Sequence, residues 1–391
     1  MKKRILVITD MDFKGSGYFY LMSPILQEMS KTYDIKVIGL GYTGEEYLFD
    51  YSIVSAKDVS MSVAIATNMI RVWKPELLMV GLDIPLQLSI QTALAETNIK
   101  YVAITPLENP PLTQSWVAGL MQMDYVFFIS ELGVDSAKAG GLTKCGYLPV
   151  GVDTESFYPP TPEERETTRA GMGYKSDEYI ILTVADNQER KNLSCSMKII
   201  SMLLHPSLSS EEFDDILSGR SKKKVSDFEK SGGYKYVLVT REQSPVGHRL
   251  RDLAITMDIN KEFLVIERGI PQEHLRSLYV SSDLFLLTSK AEGLGIPILE
   301  AMACGTPVMG TDTGAIHSLL ADGRGYLIPE EFGFIDVWGN SWRGMASAKK
   351  AVEMIRNETS KTSGGLQFVL ERTVEKSVAV IQEQLEVILH D

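Results

Sequence analysis

Short runs of valine, isoleucine and leucine recur along this 391-residue chain between longer stretches of helical period, and this alternation restricts the fold more than any other feature. A strand with one face in water alternates apolar and polar residues. These runs do not alternate, which predicts strands buried on both faces in a parallel sheet flanked by helices. One series comprises residues 5–9, 35–40, 77–81, 101–105 and 126–130, and a second comprises 180–184, 236–240, 263–267, 284–288 and 307–310. Between the two lie Pro149, Pro159, Pro160 and Pro162, which block regular pairing and suit a hinge. The chain also exceeds the length at which a single core stops growing. Two α/β domains are therefore expected, at 1–150 and 151–365, followed by a closing segment at 366–391. In that segment Leu370, Val374, Val378, Ile381, Leu385 and Ile388 form one stripe at spacings of three and four. They predict a long helix that either packs on the second domain or straps back to the first, and the second course is preferred. Residues 207–233 are polar and glycine-bearing, and are expected to form a surface insertion.

The formal net charge of -12, from 51 acidic and 39 basic residues, repels polyanions and makes nucleic acid an improbable partner. The RSKKK run at 220–224 reads as a solvated loop. Cys145, Cys195 and Cys304 are far apart, with no C-x-x-C pair, so neither a disulfide framework nor a metal site is implied, and a reducing, cytoplasmic setting fits. The opening MKKRILVITD resembles a secretory leader only superficially, because its apolar run meets Asp10 after five residues. No stretch approaches the length of a membrane span.

Chemistry concentrates at residues 289–312, SKAEGLGIPILEAMACGTPVMGTD. A predicted strand runs into a loop containing Gly293 and Gly295, and Pro297 suits the first turn of a helix. Free backbone N–H groups at such a helix start favour an anion such as a diphosphate, although glycine loops also serve as plain connections. Two carboxylates tip the balance. Glu292 precedes the loop and Glu300 lies on the helix, and carboxylates accept paired hydroxyls well. Beside phosphates they would repel, so they are assigned to the sugar ends of a ligand and cations to its phosphates.

Glu292 and Glu300, followed by Ala301, Met302, Ala303, Gly305, Pro307 and Val308, resemble the motif of the retaining family-4 glycosyltransferases. The GVDTESFYP segment at 151–159, the RKN at 190–192, and Ser281, Ser282 and Asp283 extend the likeness, which is clear mostly over residues 145–330. It implies the α/β GT-B fold, with two Rossmann-like domains facing across a cleft. It also implies that Glu292 contacts the transferred sugar, Glu300 the nucleotide ribose, and Gly293, Leu294, Gly295 and Ile296 the sugar and diphosphate. Lys191 matches the lysine that neutralises the leaving diphosphate. Where the family has an arginine five residues earlier, this chain has Asp186 after Ala185, so Arg190 is the expected second cation and Arg241 a weaker one. Ser318 stands where the family often has glutamate.

In the first domain the DFKGSG loop at 12–17 offers Gly15 and Gly17 to the donor, at a strand end of the kind that binds ligands in open sheets. Glu108, in TPLENPP, and Trp116 are expected on the acceptor side. All five histidines fall after the hinge, so no histidine base is available in the first domain, and Asp10 and Asp83 are its remaining polar helpers. The resemblance thus implies retaining transfer from a nucleotide-diphosphate sugar to an acceptor hydroxyl, with no cofactor and no metal. The alternatives are a catalytically silent nucleotide-sugar-binding protein and a nucleotide-sugar epimerase of the same fold. The acceptor is left open among small molecule, glycan, lipid, protein and DNA base. Any membrane association would run through the first domain, where MKKR is the obvious basic cluster.

Overall fold

In β1 (Arg4–Asp10) the five central residues are all buried, as its unbroken apolar sequence requires of a strand covered on both faces. It sits inside a seven-stranded parallel sheet with β2 (Asp34–Leu40), β3 (Ser52–Ala56), β4 (Leu77–Gly81), β5 (Lys100–Thr105), β6 (Tyr125–Phe128) and β7 (Cys145–Tyr147). Their spatial order is β3-β2-β1-β4-β5-β6-β7. A six-stranded parallel sheet contains β8 (Tyr179–Val184), β9 (Tyr234–Thr240), β10 (Phe263–Glu267), β11 (Leu284–Leu287), β12 (Val308–Thr311) and β13 (Tyr326–Ile328), in the order β10-β9-β8-β11-β12-β13. The computed structural model describes residues 2–337, 339–357 and 365–390. It divides into one unit of Met1–Val152, Asp336–Ser341 and Arg372–Asp391, and another of Asp153–Ile335 and Trp342–Glu371.

Each sheet is doubly wound, and the strand order reverses between β1 and β4 in the first and between β8 and β11 in the second. Such reversals leave a crevice at the carboxyl ends of the two neighbouring strands, where open α/β sheets take their ligands. The loops after β8 and β11 carry the strongest site candidates from the sequence.

Several expectations are corrected. The strand expected at 126–130 ends at Phe128, because Ser130 caps the helix Glu131–Ala139, its hydroxyl accepting the Gly133 N–H at 3.2 Å. The strand expected at 307–310 runs from Val308 to Thr311. β3, β7 and β13, of five, three and three residues, were unforeseen. So was an antiparallel ribbon of β14 (Glu330–Ile335) and β15 (Trp342–Ala346). Residues 207–233 are partly folded into the second unit: the helix Ser210–Leu217 has a Ser209/Glu212 capping box and buries Phe213 completely.

The closing segment is two helices, Gly365–Leu370 and Val374–His390, rather than one. The Thr373 hydroxyl accepts the Lys376 N–H at 3.3 Å and starts the second helix afresh, which leaves Leu370 half exposed and outside the stripe. Val378, Ile381, Leu385 and Ile388 are buried. The second helix lies along the helix Gly17–Ser30 of the first unit, and the Ser377 hydroxyl donates to Pro149 O at 2.5 Å. Gly151 is required there: a Cβ would fall 2.6 Å from the Thr373 carbonyl carbon.

Candidate active site

Because β8 and β11 are neighbours, the segments that follow them run side by side, and Lys290 N–H donates to Arg190 O at 2.8 Å. Glu292 is buried on this crossing. Its carboxylate accepts from Lys191 Nζ at 2.6 Å, Arg190 at 3.0 Å and the Ser289 hydroxyl at 2.6 Å. Burial alone would raise this carboxyl, but the charges of Lys191 and Arg190 and the two side-chain hydrogen bonds outweigh it and hold the pKa at about 2. Arg190 also donates to Ala291 O at 3.2 Å, so it points into the site rather than out to solvent. Asn192, with φ of 52°, closes the short turn Glu189–Lys191 and leads into the helix Leu193–Leu204.

After Glu292 the chain passes through buried Gly293 and Leu294 to Gly295, whose φ of 94° is a left-handed conformation that glycine adopts without penalty. Gly295 caps the helix Ile296–Ala303, with Pro297 in its first turn. One turn further, Glu300 faces inward and accepts from the Tyr279 hydroxyl at 2.7 Å. Here burial dominates: with no cation paired to Glu300 among the described residues, the carboxyl is raised to about 7, and the Tyr279 hydrogen bond only partly opposes this. The two glutamates of one motif are thus held in opposite electrostatic states.

Arg241 does not join the Glu292 cluster. It follows β9, next to β8, and pairs with Asp186 at 3.0 Å. Arg241 Nε and Asp186 Oδ1 are both buried without a hydrogen-bond partner. Sequence reasoning missed Tyr279 and Ser289. Ser289, three residues before Glu292, was within local reach; Tyr279 lies on another helix and carries no chemical signal in the sequence.

Gly15, Gly17, Glu108 and Trp116 belong to the first unit. Gly15 has φ of 120°, and Ser16 caps the helix Gly17–Ser30 while its hydroxyl donates to Asp10 at 2.8 Å. A Cβ on Gly17 would meet open space. Glu108 is partly buried in the loop after β5. Trp116 packs on the core of the first unit, 3.0 Å from where a Cβ on Gly339 would lie. Among the described residues, no group of three or more His, Cys, Asp and Glu side chains is placed to hold a metal, and no helix is long and apolar enough to cross a membrane.

Residues 164–332, which contain this cluster, match the family described as glycosyl transferases group 1. The chain is 24% identical over 209 residues to α-galactosylglucosyldiacylglycerol synthase of Streptococcus pneumoniae, covering 52% of this chain and 47% of that protein. It is 29% identical over 173 residues to D-inositol 3-phosphate glycosyltransferase 1 of Catenulispora acidiphila, covering 44% and 36%. The chain therefore spans less than half the length of these relatives. Its fold resembles that of sucrose-phosphate synthase from Thermosynechococcus elongatus, with a TM-score of 0.75 at 14% identity, over 100% of this chain and 99% of that one. It also resembles Anabaena HepE solved with UDP-glucose, with a TM-score of 0.71 at 14% identity, over 98% and 99%. These likenesses show the GT-B fold.

Proposed function

Taking residues 164–332 as a group 1 glycosyl transferase region, we propose that this protein transfers a sugar with retention from a nucleotide-diphosphate sugar to an acceptor hydroxyl. The observation that carries this is the gathering of Glu292, Lys191 and Arg190 at the crevice between β8 and β11, with Glu300 one helical turn beyond the glycine loop. The relative named a D-inositol 3-phosphate glycosyltransferase supports sugar transfer, and the UDP-glucose complex of HepE supports this class of donor. Glu292 serves the transferred sugar and Glu300 the ribose, and the N–H groups around Gly295 face the diphosphate. The C1–oxygen bond to the diphosphate breaks, a bond from C1 to the acceptor oxygen forms on the same face, and the acceptor proton passes to the leaving phosphate oxygen.

Lys191 and Arg190 offset the charge that develops on that oxygen, as fixed cations do without reorganising. Arg241, paired with Asp186 outside this cluster, is kept as a donor contact and not as a third cation on that oxygen. With these charges supplied by side chains, no metal is required, and chelation by EDTA should leave the rate unchanged. Three free cysteines suit a reducing, cytoplasmic setting.

Incubation with UDP- and GDP-sugars should release the nucleoside diphosphate, and Glu292→Gln should lower that rate at least about 100-fold, the size of effect seen when a transition-state contact is lost. Unchanged turnover in Glu292→Gln would remove the assigned role. The Asp186–Arg241 pair favours one other reading, a nucleotide-sugar-binding protein without turnover. Binding of UDP or GDP without release from any donor would select it.

A further inference from the structure

The ribbon of β14 and β15 pairs with no strand of the parallel sheet and has no part in the proposed transfer. It is nevertheless fastened to the acidic loop, since Gly344 N–H donates to Lys290 O at 2.9 Å, two residues before Glu292. Gly333 and Gly344 face each other across it. What each provides is space. A Cβ on Gly333 would run into the indole of Trp342, and a Cβ on Gly344 into the Glu330 carboxylate. The same Cβ would lie 2.9 Å from Thr313 Oγ1, in the loop after β12. The indole therefore rests against bare backbone, and its Nε1–H donates to both oxygens of Glu330 at 3.1 and 3.0 Å. Held in this way it is still 37% exposed.

A fixed, part-exposed aromatic ring with a carboxylate at its edge matches few ligands. A phosphate or other anion is repelled by Glu330. A purely apolar ligand would strip water from the carboxylate and return nothing. A sugar ring answers both groups, with C–H faces for the indole and hydroxyl donors for the carboxylate.

We propose that Trp342 and Glu330 form a binding subsite for a neutral sugar ring beside the Glu292 loop. This rests on the glycosyltransferase reading for its role, and the ring is that of the donor or that of a glycan acceptor.

The four tryptophans of the chain give four indole N–H signals in the 15N-labelled protein, and Trp342→Phe assigns the relevant one. Full-length protein is titrated with UDP, GDP, UDP-glucose and GDP-mannose, then with glucose, galactose, mannose and maltose in the presence of UDP or GDP. A Trp342 signal that moves with a sugar nucleotide but not with the bare nucleotide identifies the donor sugar. One that moves with a free saccharide identifies the acceptor sugar. Trp342→Ala should weaken the responsible binding about tenfold, the order expected for a lost aromatic contact. Gly333→Val, which displaces the indole without removing it, should do the same while the rest of the spectrum reports an intact fold.

If bare nucleotides bind and turnover proceeds while no sugar or sugar nucleotide moves Trp342, the subsite is wrong and the transferase reading stands. If saccharides move Trp342 but no nucleotide binds, the subsite stands and the transferase reading falls. A Trp342 signal unmoved by every probe overturns the subsite.

Discussion

Replacing Glu300 by glutamine should make the protein more stable at pH 8 and leave its stability unchanged near pH 4. Glu300 is buried without a cation, and its carboxyl is raised from 4.5 to about 7. Between those values the folded state holds a proton that the unfolded state has released. The contribution of Glu300 is then fully present below pH 4.5 and is lost as pH rises through 7. A shift of this size corresponds to about 3 kcal/mol at pH 8, the cost of keeping a charged carboxylate buried with the Tyr279 hydroxyl donating to it. Glutamine has the same shape, still accepts from Tyr279 and carries no charge. Thermal melts of both proteins from pH 4 to pH 9 would show it, with Glu300→Gln above wild type by several degrees at pH 8, at roughly 2–4 °C per kcal/mol for a unit of this size. Parallel curves across the whole range would refute the claim that burial governs this carboxyl. The stabilised variant should also bind UDP or GDP more weakly, because the ribose loses its charged acceptor.

Glu292 should show the opposite pH dependence. Its folded pKa of about 2 lies below the ordinary 4.5, so wild type loses this contribution as pH falls from about 4.5 toward 2, whereas Glu292→Gln shows no such loss in acid unfolding. Tyr279→Phe removes the hydroxyl from a buried carboxylate and should cost about 1–3 kcal/mol in urea unfolding at pH 8, and less at pH 5. Gly151→Ala drives a methyl group into the Thr373 backbone and should release the closing helix, seen as new protease cleavage near residues 371–373 with the second unit intact.

Most of the strands expected from the sequence were legible because a strand buried on both faces must be apolar throughout, and that requirement is written locally; β10, with Leu264 half exposed, is apolar without being so covered. The short strands were not: three residues such as Tyr326–Ile328 carry no period, and only pairing beside β12 makes them a strand. The ribbon stayed hidden for a related reason. Its decisive residues are glycines facing each other across the strands, and their value lies in what packs against them.

Within the site, sequence alone determined which groups are present: two glutamates at a fixed spacing, a glycine loop opening a helix, and an Arg-Lys pair that precedes the first glutamate by 102 and 101 residues. Tertiary structure decided their charge states. Lys191 and Arg190 reach Glu292 because β8 and β11 are adjacent, whereas Glu300, eight residues on, faces a tyrosine and no cation. The ionisation of a carboxylate follows from burial and from the charges within a few ångströms of it, and those distances are set by strand order and not by position along the chain.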